Sequence, residues 1–339
     1  MDWSSSYTST WRVFRVNPKT WADDERIIGV DSADVSRTAD GNLLESGSLE
    51  LTGSFETGYY RIVMTAQQGG ELARVDVATL LFQTTGGEND YGRTAYDVDG
   101  HSVLYPASTT SVTTGEYAPA GVDGAQYAAE LLRAAINAPV EVEGSFTLND
   151  HIVHELGSCV LDAAWSVLDA GGFVIQIDGR GVVHIRPKPT EPALEINNVS
   201  IGLLGNKISF DSDISDVPNR YIVIEDDNIT IAVNDDPNSI VSTVSRGYCV
   251  DFVDTSPTPV NGKTNDEYAH DRLKDLSVLK EDYAYEREYA PDVYLYSIIR
   301  ASINGMQGDL RVMSQSIKCT NGISISEKSA LEIALWQTS

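Results

Sequence analysis

Ser48-Leu49-Glu50-Leu51-Thr52-Gly53-Ser54-Phe55 alternates polar and apolar side chains, and after Glu56-Thr57-Gly58 the chain continues Tyr60-Arg61-Ile62-Val63-Met64. A period of two sends successive side chains to opposite faces, so this stretch predicts an antiparallel hairpin with one wet face. Asp40-Gly41 predicts a turn just upstream. Downstream, residues 75–84 form another apolar run, which Gly86-Gly87-Glu88-Asn89-Asp90 is expected to close as a loop. The first hundred residues read as strands.

The middle of the chain changes period. Residues 125–137 place Ala128, Leu131, Leu132 and Ala135 on one helical face. A second helix over 157–170 buries Val160, Leu161, Ala164, Val167 and Leu168 and stops at Gly171-Gly172. Phe173-Val174-Ile175-Gln176-Ile177, the turn Asp178-Gly179-Arg180-Gly181, and Val182-Val183-His184-Ile185-Arg186-Pro187 form the clearest hairpin in the sequence. Pro187, Pro189 and Pro192 mark a module edge. Strands return at 207–210, 220–225 and 229–233, and Thr264 with Glu267 in capping-box spacing opens a helix over 265–280. Further strands are expected at 294–299, 311–317 and 330–335. The pattern is α+β and β-dominated, with three helices among barrel-like or sandwich-like sheets.

A length of 339 residues, 42% of them hydrophobic, suits two or three domains with real cores. Fifty acidic residues against 24 basic give a net charge of −26, which excludes a basic footprint for gripping DNA or anionic lipid. Residues 1–170 hold 9 basic and 25 acidic side chains with Lys19 as the sole lysine, and 171–339 hold 15 and 25. The acids are scattered, which reads as solvated strand faces; the functional alternative is an acidic pore lining past which a polyanion slides. No apolar stretch approaches the ~20 residues of a membrane span. The opening Met1-Asp2-Trp3-Ser4-Ser5-Ser6 shows neither region of a secretory signal. Cys159, Cys249 and Cys319 form neither a disulfide framework nor a metal clip, as expected of a chain made in a reducing cytoplasm.

Motifs for chemistry do not assemble. His151-Ile152-Val153-His154-Glu155 has the wrong order for a zinc-protease helix, which needs histidines at i and i+4 with glutamate beside the first. Neither His184 nor His270 stands in supporting context. Asp211-Ser212-Asp213-Ile214-Ser215-Asp216-Val217-Pro218-Asn219 clusters carboxylates, yet Asp216 holds the glycine position of a calcium loop and Ile222 its final glutamate. It reads as a turn between strands. There is no GxSxG elbow and no phosphate-cradling glycine loop. No catalytic, cofactor-binding or metal-ligating residue is therefore assigned.

One internal repeat stands out. At an offset of 282, Val30, Ser32, Thr38, Glu45, Leu49 and Glu50 coincide with Val312, Ser314, Thr320, Glu327, Leu331 and Glu332, and Val35 faces Ile317 as Leu51 faces Ile333. A strand-turn-strand unit near each end implies two copies of one β-module.

The chain resembles the baseplate hub, or tail-associated structural protein, of tailed bacteriophages and contractile injection systems. The likeness is carried by Trp11-Arg12-Val13-Phe14-Arg15-Val16 with Thr20-Trp21, and by Glu45-Ser46 leading to Leu49-Glu50-Leu51 and Tyr60-Arg61-Ile62. It continues through residues 161–173, Asp178-Gly179-Arg180-Gly181 and Ile185-Arg186-Pro187, then Phe210-Asp211-Ser212-Asp213 and Asp216-Val217-Pro218-Asn219-Arg220-Tyr221. Gly308-Asp309-Leu310-Arg311-Val312 and Ser314-Gln315-Ser316-Ile317 are similar to the closing strands. The resemblance implies two similar tube-type β-barrel domains: one over 1–118, an intervening α+β module over 119–205, and strands completing the first barrel plus the second barrel over 206–339.

It further implies a non-enzymatic homotrimer of the virion tail tip or baseplate, assembled in the host cytoplasm. Its partners would be the tail tube or distal tail protein, the tape measure protein and a spike or central fibre. DNA would pass through the lumen without specific binding. A fibre or wall-cleaving extension is expected on a separate chain or beyond the second barrel motif of this one. The competing expectation is a carbohydrate- or receptor-binding β-protein of a virion surface that stacks sugars on Trp3, Tyr7, Tyr59 and Tyr60; a glycan hydrolase or peptidase ranks third.

Overall fold

The structure is a computed structural model that describes residues 1–3, 6–90, 93–115, 117–197, 208–225, 228–255, 264–303 and 306–336. The chain forms two compact units, one of residues 1–208 with 284–329 and one of 209–283 with 330–339. Strands dominate both.

Seven strands open the first unit: β1 (Thr8–Val16), β2 (Asp23–Ile27), β3 (Val30–Thr38), β4 (Glu45–Thr52), β5 (Gly58–Gln68), β6 (Glu71–Asp90) and β7 (Arg93–His101). Their order in the sheet is β2–β1–β5–β6–β7–β4–β3. The strand read over 48–55 ends at Thr52 and begins earlier, at Glu45, and the one read over 60–64 extends over 58–68, but they are not each other's partners: β4 pairs with β3 across the Asp40-Gly41 turn, and β5 pairs with β1 and β6. Residues 86–90 are not a loop but the end of β6, paired to β7 with Asp90 opposite Arg93. The glycines there serve the ladder rather than a turn. A Cβ on Gly87 would stand 3.0 Å from the Ala95 carbonyl oxygen and 3.2 Å from the Tyr96 ring, beside a register shift between Thr84 and Gly86.

The sheet must curl. β2 and β3 are at opposite ends of the seven-strand order, yet only Ile28 and Gly29 join them. Laid flat, six spacings of ~4.8 Å would hold them about 29 Å apart, whereas that link spans about 10 Å. Val13, Leu49, Leu51, Ile62, Met64, Leu80 and Val98 fill the concave side. The ladder stays open at β2, because β3 spends its edges on β4 and a C-terminal strand.

A helical layer follows: α1 (Tyr105–Thr109), β8 (Tyr117–Ala118), α2 (Gly124–Ala135), β9 (Val140–Val142), β10 (Ile152–Val153), α3 (Val160–Gly171), β11 (Phe173–Ile177) and β12 (Val183–Pro187). Asp123 caps α2, and Gly172 ends α3 in the left-handed conformation read from the sequence. Ala128, Leu132, Leu161, Ala164 and Leu168 pack onto Ile175 and Ile185. The β11–β12 hairpin is as expected; the parallel addition of β9 to β12, too short to show a period, was not legible. The turn between β11 and β12 seats on β6: the Thr79 hydroxyl donates to the Gly179 carbonyl, and Trp21 Nε1 and Arg61 Nη2 donate to that of Arg180.

The chain continues through β13 (Pro192–Asn197) into the second unit with β14 (Ser209–Ser212), β15 (Arg220–Glu225), β16 (Asn228–Val233), α4 (Thr243–Arg246), β17 (Asp251–Asp254) and α5 (Asn265–Leu276). Lys207, expected to begin a strand, lies outside the described residues. The capping box of Thr264 and Glu267 forms as read, and α5 ends at Leu276 rather than 280. Its Ala269 and Leu273 pack on Tyr221, Val223 and Ala232 of the β16–β15–β17 sheet. The turn expected over 211–219 starts only after β14 ends at Ser212; fully buried Asn219 ties it to the 241–250 segment, donating to the Val241 and Tyr248 carbonyls and accepting from Val250 N–H.

The last strands are β18 (Val278–Arg287), β19 (Ile298–Ile303), β20 (Met306–Cys319) and β21 (Ile323–Ala334). Residues 294–297 are turn rather than strand, with Tyr296 at φ 66° held by its N–H to the Val312 carbonyl. β20 pairs antiparallel with β3, so the two repeated hairpins stand side by side in the order β21–β20–β3–β4. Val35 lies directly opposite its repeat counterpart Ile317. The repeat is thus a local twofold about that pair, with both hairpins in one sheet.

A buried ionic cluster spans this seam. Arg37 donates to Glu45 at 2.6 Å, to Gln315 Oε1 at 3.1 Å and to the Val77 carbonyl at 2.7 Å. Gln315 passes the network to Glu327 at 2.9 Å, which accepts from Arg287 at 2.6 Å and from the Tyr285 hydroxyl at 2.5 Å. All four charged side chains are at most 1% exposed. Glu45 and Glu327 are an identical pair of the repeat.

Removing one partner strands a buried charge, whereas removing both does not. Arg37→Met or Glu45→Leu alone is expected to cost about 3–5 kcal/mol of unfolding free energy, and the double variant to recover most of it, measured by chemical denaturation. Gly179→Ala places a Cβ 1.7 Å from the Asp76 carbonyl oxygen. It is expected to lower the melting temperature and speed hydrogen exchange in β11 and β12, while Arg180→Ala, exposed at that turn, leaves exchange there nearly unchanged.

Candidate docking surfaces

A cleft of about 330 Å³ in the first unit is lined by Gln176, Asp178, His184, Arg186, Asp292 and Tyr294, among others. His184 projects from β12 between carboxylates: Nε2 is 3.4 Å from Asp178, and Nδ1 is 3.3 Å from Glu143 and 3.7 Å from Glu141. The hydrogen bond to Asp178 holds the imidazole above its ordinary range, burial opposes this, and the charges of Asp178, Glu141 and Glu143 add to the rise. Arg186 binds the other oxygen of Glu143 at 3.1 Å and Gln176 Oε1 at 3.2 Å. The acids are thus engaged with His184 and Arg186 beside β9 and β12.

The residues singled out in the sequence fall elsewhere. His151 is exposed and edge-on to Tyr117, while His154 is buried beside the Tyr127 hydroxyl at 3.2 Å. No group of three metal-ligating side chains converges among the described residues. Asp213 accepts from Ser215 N–H and hydroxyl, the turn chemistry expected. Burial pushes the Cys319 thiol up to about 12, and Cys159 caps α3. The aromatic residues proposed to stack sugars pack inward instead. Tyr59 packs on Trp21, Tyr60 lies between Phe55 and Phe82, and Tyr7 donates to the Tyr289 carbonyl with Trp3 against its ring. A large apolar ring is worth more inside than in water, and these rings supply much of the roll's core and its margin.

Surfaces suited to another chain were not legible in the sequence. β5 begins at Gly58 opposite Phe82, so residues 83–90 of β6 leave an edge that β5 does not cover. The exposed β2 edge reads Asp23-Asp24-Glu25-Arg26, a charged run of the kind that discourages strand addition. In the second unit, Ile229 is 64% exposed, Val253 50% and Ile231 47%, on the face of the β16–β15–β17 sheet opposite α5.

No family model and no curated protein matches the sequence. Solved structures match along nearly its whole length. The tail protein from Neisseria meningitidis MC58 superposes with a TM-score of 0.66 at 12% identity, over 97% of this chain and 98% of that one. The 43 kDa tail protein of prophage MuSo2 from Shewanella oneidensis gives 0.62 at 12% identity, over 94% and 97%. The prophage tail protein gp18 from Listeria monocytogenes EGD-e gives 0.54 at 11%, over 94% of each. These three neighbours are tail proteins, two of them from prophages, and this chain shares their fold, in agreement with the family the sequence resembles.

The His184 cluster gives stability a sign with pH. A histidine raised in the folded state contributes fully below its unfolded value near ~6.5, and that contribution disappears as pH rises through the raised folded value. Thermal melts of the His184→Gln variant are expected to lose the part of the wild-type decline that sets in above that pH, with little change at pH 8.5.

Proposed function

We propose that this chain is the structural baseplate hub of a phage tail or a related injection system. Three copies join the hexameric tail tube or distal tail protein to a spike or central fibre, beside the tape measure protein. Their ring forms part of the DNA ejection channel. The observation that carries the reading is the likeness to a tail protein over 97% of this chain and 98% of that one, in a fold built on a rolled antiparallel sheet. In this reading residues 1–118 and 206–339 supply two tube-type barrel surfaces per copy, so that three copies present six to a sixfold tube, and 119–205 form the α+β module. The curl forced by the Ile28-Gly29 link supports the first of these surfaces.

The mechanism is geometric rather than catalytic. A net charge of −26 lets a polyanion pass without adhering, and no step requires a reacting side chain. Rings of like-charged carboxylates repel phosphate at close range, and salt screens that repulsion beyond about 8–10 Å. The protein would reside at the virion tail tip, assembled in the host cytoplasm.

Immunogold labelling of virions with antibody to this chain tests the placement. Label is expected at the end of the tail distal to the capsid, and averaged images of that region should show threefold symmetry. Label on the capsid, or none on intact or disrupted particles, overturns the reading.

A further inference from the structure

We propose that the cleft where β1 outruns β2 is a docking site for an extended acidic segment of a partner protein. The inference stands apart from the trimeric reading and does not depend on it.

β2 pairs with β1 only between Val13 and Val16, whereas β5 pairs with β1 from Thr8 to Val16. Thr8 to Arg12 therefore carry a backbone edge that no strand among the described residues covers. Such an edge accepts a further strand unless charge or shape blocks it. The β2 edge is blocked by its acids. This one is not, since Thr8, Ser9, Thr10 and Trp11 are uncharged and Arg12 is basic. The edge opens on a cleft of about 320 Å³ lined by Trp11, Arg12, Arg26, Ile28 and Asp31, among others. Ile28, in the link between β2 and β3, is 81% exposed there.

Two unpartnered guanidinium groups select the occupant. Every other arginine side chain described reaches a carboxylate or a carbonyl oxygen. Arg12 and Arg26 reach neither among the described residues, and both are exposed. They share one face. Arg26 stands opposite Phe14, and Arg12 lies two residues along the same strand, so both flank that ring. Arg61 lies opposite Phe14 on its other side, and the Arg74 guanidinium is 5.3 Å from the ring centroid. Asp23 and Asp76 are already engaged by Arg61, Arg74 and Arg180. With Asp24, on this face by alternation, five arginines stand against three aspartates in a chain of net charge −26. Asp31, the one carboxylate in the cleft, accepts from the Thr52 hydroxyl at 3.3 Å.

The acids elsewhere on the chain are screened beyond about 8–10 Å, so an incoming segment meets this local positive excess. A bare strand edge offers N–H and C=O groups at the spacing of another peptide backbone, which a nucleic acid does not match. Carboxylates alternating with apolar side chains would set acids on the Arg12 and Arg26 face and apolar groups on the Trp11 face.

Fluorescence anisotropy with a labelled peptide of four Glu-Val repeats, at low salt, tests this on the wild type, Arg12→Gln and Arg26→Gln. Lys188→Gln, at an exposed site elsewhere in the first unit, is the control. Neither arginine is tied to the fold, so circular dichroism should be unchanged in the variants. Wild type and control are expected to bind with Kd of about 0.1 mM, and each arginine variant about 10-fold more weakly. Of two further peptides, N-methylated at every Val or at every Glu, at least one should lose a similar factor, because it cannot donate to the β1 edge. No binding by the wild type up to about 1 mM overturns the proposal. So does equal binding by wild type and both arginine variants, or undiminished binding of both N-methylated peptides. Oligothymidylate bound as tightly as the peptide, with the same losses in the variants, overturns it in favour of a nucleic acid.

Discussion

Two arginines and two glutamates sealed inside the first unit hold its N-terminal and C-terminal strands in one register. Arg37 and Glu45 belong to the β3–β4 hairpin, Arg287 and Glu327 to β18 and β21, and the Gln315 amide joins the pairs. Burial drives the Glu45 carboxyl up and Arg37 pulls it back. Such a cluster adds little net stability over an apolar filling, because its desolvation offsets most of its attraction. Its effect is selective. A slip of β20 along β3 by one residue would turn Gln315 to the opposite face and leave charges unpaired in the core.

Local grammar carried much of the fold. The 173–187 hairpin, the glycine stop of α3 and the capping box of α5 are decided within a few residues, and each formed where the sequence placed it. What failed was long-range or hidden by a misleading residue. Gly86-Gly87 reads as a turn, but its lack of side chains lets β6 pass close to Tyr96. Strand alternation around Leu49 and Ile62 showed two strands without showing that β3, β6 and β7 stand between or beside them.

The docking surfaces were less legible for a different reason. Exposure is a property of the folded surface, and Ile229 and Ile231 look like any alternating strand in sequence. The ionic cluster left one trace, the coincidence of Glu45 and Glu327 at the 282-residue offset. It reads as likeness between two amphipathic hairpins until the β3–β20 pairing sets their strands side by side. The same pairing decides what the repeat means: two hairpins joined edge to edge about Val35 and Ile317, within one sheet.

That seam also sets a schedule for synthesis. The edge of β3 that receives β20 waits for residues 314–319, nearly the whole polypeptide later. At ~5–20 residues per second the ribosome needs roughly 15–60 s to deliver them. Throughout that interval a nascent chain holds a strand with one bare backbone edge and an arginine lacking one of its three hydrogen-bond partners. A prematurely terminated product would keep that edge for good, which makes it a natural client for holdase chaperones and a target for quality-control proteolysis.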